Sequence, residues 1–121
     1  MIKKIMILED DEPVAELIKF YLEEEGYKIF ISDKGEGFID KVVKVQPDMI
    51  TLDVMLPDTD GFSIFSALLK DPRTKDIPVI FITVKEEELE TGLKMGASGY
   101  ITKPFKEDTL KDTIKSIIEK E

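Results

Sequence analysis

Residues 4–26, KIMILEDDEPVAELIKFYLEEEG, decide the fold. Ile5, Met6, Ile7 and Leu8 are apolar in succession, so a strand over Lys4–Leu8 has no polar face and must be buried on both sides. Four acidic residues, Glu9-Asp10-Asp11-Glu12, close it. Pro13 suits the first turn of a helix, where its missing N–H is not needed. Val14, Leu17, Ile18, Tyr21 and Leu22 then recur at i, i+3, i+4, i+7 and i+8, one face of a helix. Gly26 is the expected stop signal. A strand buried on both faces and followed by an amphipathic helix is the building unit of a parallel sheet wrapped in helices.

The unit recurs along the chain. Lys28–Ser32 reads as a second strand, and Phe38, Ile39, Val42 and Val43 mark a helix ended before Pro47. Met49–Leu52 is a third strand, Leu56-Pro57-Asp58 a turn, and Phe62–Leu69 a short helix. Pro78–Ile82 is a fourth, wholly apolar strand. Glu86–Met95 is a weaker helix, because Gly92 in its interior costs about 1 kcal/mol against alanine. Tyr100–Ile101 is a short fifth strand, and Leu110, Ile114, Ile117 and Ile118 give the last helix its apolar face. Five strands and five helices in alternation predict one α/β domain over residues 1–121, a doubly wound (βα)5 three-layer sandwich.

Composition narrows the chemistry. The 121 residues are 42% hydrophobic and 36% charged, and no apolar run approaches the length of a spanning helix. With no signal-peptide pattern at the start, a cytoplasmic protein with no membrane association is expected. The sequence has no cysteine and no histidine, which excludes disulfides, thiol catalysis, His-based triads, His-ligated zinc and a phosphohistidine carrier. A formal net charge of -9 argues against direct nucleic-acid binding and suits cations and basic partners. The chain has no Asn, one Gln and one Arg amid many Lys and Glu, a bias found in hyperthermophile proteins.

In open α/β sheets, sites form beyond the carboxyl ends of the strands. Here those ends carry Glu9 and Asp10, Asp53, Thr83, and Lys103-Pro104. The flavodoxin-like strand order 2-1-3-4-5, taken over from proteins that have it, makes strands one, three, four and five consecutive and gathers these residues at one rim. Two carboxylates about 4 Å apart repel by roughly 4 kcal/mol at an effective dielectric of 20. Three together force a protonation or recruit a cation, and Lys103 offsets only one charge. Mg2+ fits, since it accepts one or two carboxylates and takes phosphate oxygens as further ligands. Asp53 would then be a nucleophile toward phosphorus.

Each residue also has a plainer reading. Asp10, Asp11 or Glu12 serves equally well as a helix cap, and Asp58, Asp60 and Gly61 read as turn and cap residues. Glu86-Glu87-Glu88 reads as a solvated helix start. Asp53 has no such structural role after a buried apolar strand.

The segments IMILEDDEP, ITLDVMLPDTDG, PVIFITV and GASGYITKPF resemble, in order and spacing, the response-regulator receiver pattern, over nearly the whole chain. The resemblance implies a phosphorylation-controlled switch of a two-component system, which catalyses only its own phosphorylation and dephosphorylation. It implies that Asp53 accepts a phosphoryl group from a sensor histidine kinase or phosphotransfer protein, with Mg2+ held by Glu9, Asp10, Asp53 and the Met55 carbonyl. It further implies that Thr83 turns to hydrogen-bond the phosphoryl group, that Lys103 binds it, that Tyr100 is an aromatic switch, and that the bond before Pro104 is cis. A downstream output domain or protein is expected to read the face made by the fourth helix, fifth strand and fifth helix, with a phosphorylation-dependent dimer left open. Glu9 stands where Asp is more usual, and Val84 where a smaller residue is typical. Val84 and Met55 together predict slow dephosphorylation, and Lys85 occupies another position that influences it.

Two competing readings are a receiver-like interaction module that is never phosphorylated, and a carboxylate-nucleophile phosphatase of the haloacid-dehalogenase type. The second wants an Asp two residues after the nucleophile, where Met55 stands. Flavin binding is disfavoured by the acidic loop Glu9–Glu12, where a phosphate cradle needs Ser, Thr or Gly.

Overall fold

The computed structural model describes residues 1–119; the last two residues of the expected 1–121 domain lie outside the described residues. The strands are β1 (Lys4–Leu8), β2 (Lys28–Ser32), β3 (Met49–Leu52), β4 (Val79–Thr83) and β5 (Gly99–Thr102). They form one parallel sheet in the order β2-β1-β3-β4-β5. The helices are α1 (Glu12–Glu24), α2 (Phe38–Val45), α3 (Gly61–Lys70), α4 (Leu89–Lys94) and α5 (Glu107–Ile118). Among the described residues, no helix is long and apolar enough to cross a membrane.

Alternation along the strands divides the interior in two. Ile5 and Ile7 of β1 point to one face, where Ile18 and Leu22 of α1 and Leu110, Ile114 and Ile118 of α5 cover them. Met6 and Leu8 point to the other, against Phe38 and Val42 of α2 and Ile64, Phe65 and Leu68 of α3. The apolar runs read as doubly buried strands are therefore just that. α1 ends where expected, with Gly26 in the left-handed region at φ 90°.

Four elements and one helix face differ from expectation. β4 begins at Val79, because Pro78 has no N–H to donate and offers only its carbonyl, to Ile50 N. β5 runs one residue further at each end than Tyr100–Ile101, and α3 one residue further at each end than Phe62–Leu69. The expected helix Glu86–Met95 is a 3-10 turn over Glu86–Glu88 followed by the six-residue α4. Neither piece has a side-chain cap. On α1 the buried stripe is Ala15, Ile18 and Leu22, while Leu17 turns outward beside the exposed Phe20.

Candidate functional site

Backbone pairing brings the site together. Past β1, the Glu9 N–H still donates to the Ser32 carbonyl at 3.0 Å; past β3, the Asp53 N–H donates to the Leu8 carbonyl at 3.1 Å. The parallel register so continues one residue beyond the strands. Thr83 pairs with Thr102, and the Lys103 N–H donates to the Thr83 carbonyl at 2.8 Å. From there the Lys103 ammonium donates to Glu9 Oε1 at 2.5 Å and to Asp53 Oδ2 at 2.9 Å. The Lys103–Pro104 peptide is cis.

Glu9 and Asp53 are 2% and 6% exposed, while Asp10 is open to solvent. Each of the three offers a carboxylate oxygen within 4.8 Å of the others. Burial raises the Glu9 carboxyl above its ordinary value, against the lowering influence of the Lys103 ammonium and the Asp11 N–H. Burial works against the Lys103 ammonium too, but its hydrogen bonds to Asp53 and Glu9 prevail and hold it above the usual lysine value. One ammonium, bonded to two of the three, serves this carboxylate cluster among the described residues, which leaves it with surplus negative charge. An all-oxygen donor set with surplus negative charge and one member open to solvent fits a hard divalent cation such as Mg2+.

The loop after β3 holds Asp53 from its other side. Met55 N–H donates to Asp53 Oδ1 at 3.1 Å, and the Met55 side chain is exposed. Gly61 N–H donates to the Val54 carbonyl at 2.7 Å. A Cβ on Gly61 would sit 2.2 Å from the Asp53 carbonyl oxygen, so only glycine lets the first turn of α3 come this close. Asp60 caps α3, accepting from the N–H and the hydroxyl of Ser63 at 2.9 Å each. At α1 the capping residue is Asp11, which accepts from Val14 N–H at 3.3 Å; Asp10 is left for the site.

Thr83 and Tyr100 meet at one residue, Lys85. Thr83 is fully buried, and its Oγ1 accepts from Lys85 N–H at 3.3 Å. The Tyr100 hydroxyl donates to the carbonyl of the same Lys85. The Tyr100 ring lies 5.7 Å from that of Phe81, centroid to centroid, and packs against Gly92. Burial first, then the carboxylates of Glu88, Glu87 and Asp53, push its phenol up to about 12. Val84 is exposed and, with Val14, Leu17, Pro104 and Phe105, lines an apolar hollow beside Lys103.

Besides the approach of Gly61 to Asp53, two features of the site escape the sequence. Lys103 was expected to bind phosphate, and its ion pair with Glu9 was not foreseen. The sequence makes Asp58 a turn or cap residue, yet its carboxylate also reaches the loop after β2, accepting from Gly35 N–H and Glu36 N–H at 2.8 Å each. No local pattern signals a contact between residues this far apart in sequence, and β1 stands between β2 and β3 in the sheet; the two loops meet because the helices they lead into, α2 and α3, pack side by side on one face.

A family model described as the response regulator receiver domain matches residues 5–115. The crystal structure of a protein assigned as a response regulator from Chloroflexus aurantiacus superposes with a TM-score of 0.93 at 29% identity, covering 99% of this chain and 100% of that one. The signal receiver domain of a signal transduction histidine kinase from Syntrophus aciditrophicus gives 0.87 at 32% identity, over 97% and 90% of the two chains. The non-phosphorylated HemR receiver domain from Leptospira biflexa gives 0.89 at 27% identity, over 98% and 96%.

Proposed function

The chain belongs to the response regulator receiver domain family of two-component signalling, and on that premise we propose that Asp53 is its phosphoryl acceptor and that residues 1–121 act as one phosphorylation-controlled switch. The observation that carries this reading is the buried Asp53 carboxylate, with one oxygen on the Lys103 ammonium, the other on Met55 N–H, and two more carboxylates within 4.8 Å.

An Asp53 carboxylate oxygen attacks the phosphorus of a phosphohistidine on a sensor kinase or phosphotransfer protein. A P–O bond forms as the P–N bond breaks, and its electron pair leaves on the imidazole nitrogen, which takes up a proton. Lys103, already bonded to Asp53, would neutralise phosphoryl oxygens, and Thr83 would turn its hydroxyl to donate to one of them. Asp10, Asp53 and the Met55 carbonyl would hold Mg2+, with Glu9 alongside. When bound, the cation offsets negative charge on the transferring group.

The acyl phosphate carries about two negative charges where the carboxylate carried one. Lys85 links the two switch residues through its own N–H and carbonyl, so a move of Thr83 is transmitted to Tyr100. The face of α4, β5 and α5 then changes affinity for an output domain or protein, as a shift between existing states. Incubation with Mg2+ and acetyl phosphate, followed by intact mass measurement, tests the reading. One labile phosphoryl group is expected on the wild type and none on Asp53→Ala. No gain from either acetyl phosphate or a phosphorylated kinase would favour the unphosphorylated interaction module.

A further inference from the structure

Asp58 lies on the loop between β3 and α3, yet it does more than turn the chain. Its carboxylate sits over two successive amides of the neighbouring loop, Gly35 N–H and Glu36 N–H, each at 2.8 Å. Successive N–H groups of this kind form an anion cradle, and a carboxylate in one makes charge-assisted bonds. The carboxyl is correspondingly held below the ordinary carboxylate range, first by Gly35 N–H and also by Glu36 N–H. The two loops touch beside this clamp: a Cβ on Gly35 would fall 2.5 Å from Thr59 Cγ2.

The clamped loop is the one that carries Met55. It is closed on itself by Leu56 N–H to the Thr59 carbonyl at 3.3 Å, Gly61 N–H to the Val54 carbonyl at 2.7 Å, and a bridge between Met55 and Asp60. Its tip has no hydrogen bond from α3 among those described; Asp58 is what fastens the tip to another part of the fold. Met55 N–H in turn holds Asp53 Oδ1.

We infer that Asp58 is a positioning residue for the acceptor site: by gripping the β2–α2 loop it fixes the Met55 peptide, and through it the orientation of the Asp53 carboxylate and the place of the metal. This inference rests on the reading of Asp53 and Met55 given above. A residue serving stability alone would lower the unfolding midpoint and leave metal affinity untouched.

The test uses Asp58→Ala and Asp58→Asn, with Mg2+ affinity measured by calorimetry and amide hydrogen exchange at Gly35, Glu36 and Met55. Asp58→Ala is expected to weaken Mg2+ by about tenfold, as removal of residues that orient metal ligands does. Met55 N–H should exchange faster in the same variant. Asp58→Asn, which keeps one acceptor oxygen, should recover part of both effects and stays informative if the alanine variant fails to fold. Mg2+ affinity within about twofold of wild type, with unchanged Met55 exchange, would overturn the inference whatever happens to stability. Should the wild type accept no phosphoryl group, the proposed function fails, while Met55 exchange still decides whether Asp58 positions that peptide.

Discussion

The rim around Asp53 and the segment around α4 are built on opposite principles. At the rim, the buried carboxylates and the loops have fixed neighbours: Glu9 and Asp53 share Lys103, Met55 holds Asp53, Asp58 ties two loops, and Gly61 lies against the Asp53 backbone. Around α4 the helix is six residues long, preceded by a 3-10 turn, without side-chain caps, and its Leu89 and Leu93 are exposed. An over-determined site next to an under-determined helix suits a switch. The chemistry needs preorganised groups, whereas the readout needs an element whose alternative arrangements differ little in free energy.

The sharpest way to break this contrast is at Lys103. Lys103→Met leaves buried Glu9 and Asp53 without their shared counter-charge, and should cost about 4 kcal/mol in urea unfolding without Mg2+. Added Mg2+ should restore part of that loss. A cost below about 1 kcal/mol would mean that the rim is not held by this ion pair.

Next in size is Gly61→Ala, which sets a Cβ against backbone that has nowhere to go. About 3 kcal/mol of destabilisation is expected. Tyr100→Phe removes the hydroxyl bond to the Lys85 carbonyl and should cost about 1 kcal/mol near neutral pH. Its pH signature is more specific. The phenol is raised above its unfolded value of 10 to about 12 in the fold, so its contribution is complete below pH 10 and is lost as pH rises toward 12. Wild type should therefore lose more stability than Tyr100→Phe across that window, and parallel losses would remove Tyr100 from the account.

The smallest effect is expected at Gly92, the counterpart of Gly61 in the under-determined region. A Cβ there meets the rings of Tyr100 and Phe81 at 3.1 to 3.2 Å, while alanine gains about 1 kcal/mol of helix propensity. Gly92→Ala should thus stay within about 1 kcal/mol of wild type in thermal unfolding, with Tyr100 resonances shifted. A loss as large as that of Gly61→Ala would erase the contrast.

The same division explains what was legible in the sequence. Ile5–Leu8 and Val79–Ile82 announce themselves because a strand covered on both faces leaves no room for a polar residue. Glu9, Asp10 and Asp53 could be picked out because they follow such runs, and Lys103 because it closes the short fifth strand. What escaped depends on distance between loops. The Asp58 clamp and the Lys103–Glu9 pair depend on where loops distant in sequence come to lie, and the approach of Gly61 to Asp53 on how the β3–α3 loop folds back on itself. Gly92 was read as a helix-weakening residue; it also makes room for Tyr100, a packing reason that periodicity does not carry.

The central claim is that a phosphoryl group on Asp53 is felt at α4. Amide hydrogen exchange across residues 84–102, on protein whose mass confirms one phosphoryl group, tests it most directly. Exchange is predicted to change at Lys85, in α4 and around Tyr100, and to stay at its starting rates in Asp53→Ala under the same conditions. Stoichiometric phosphorylation with unaltered exchange in that segment would contradict it.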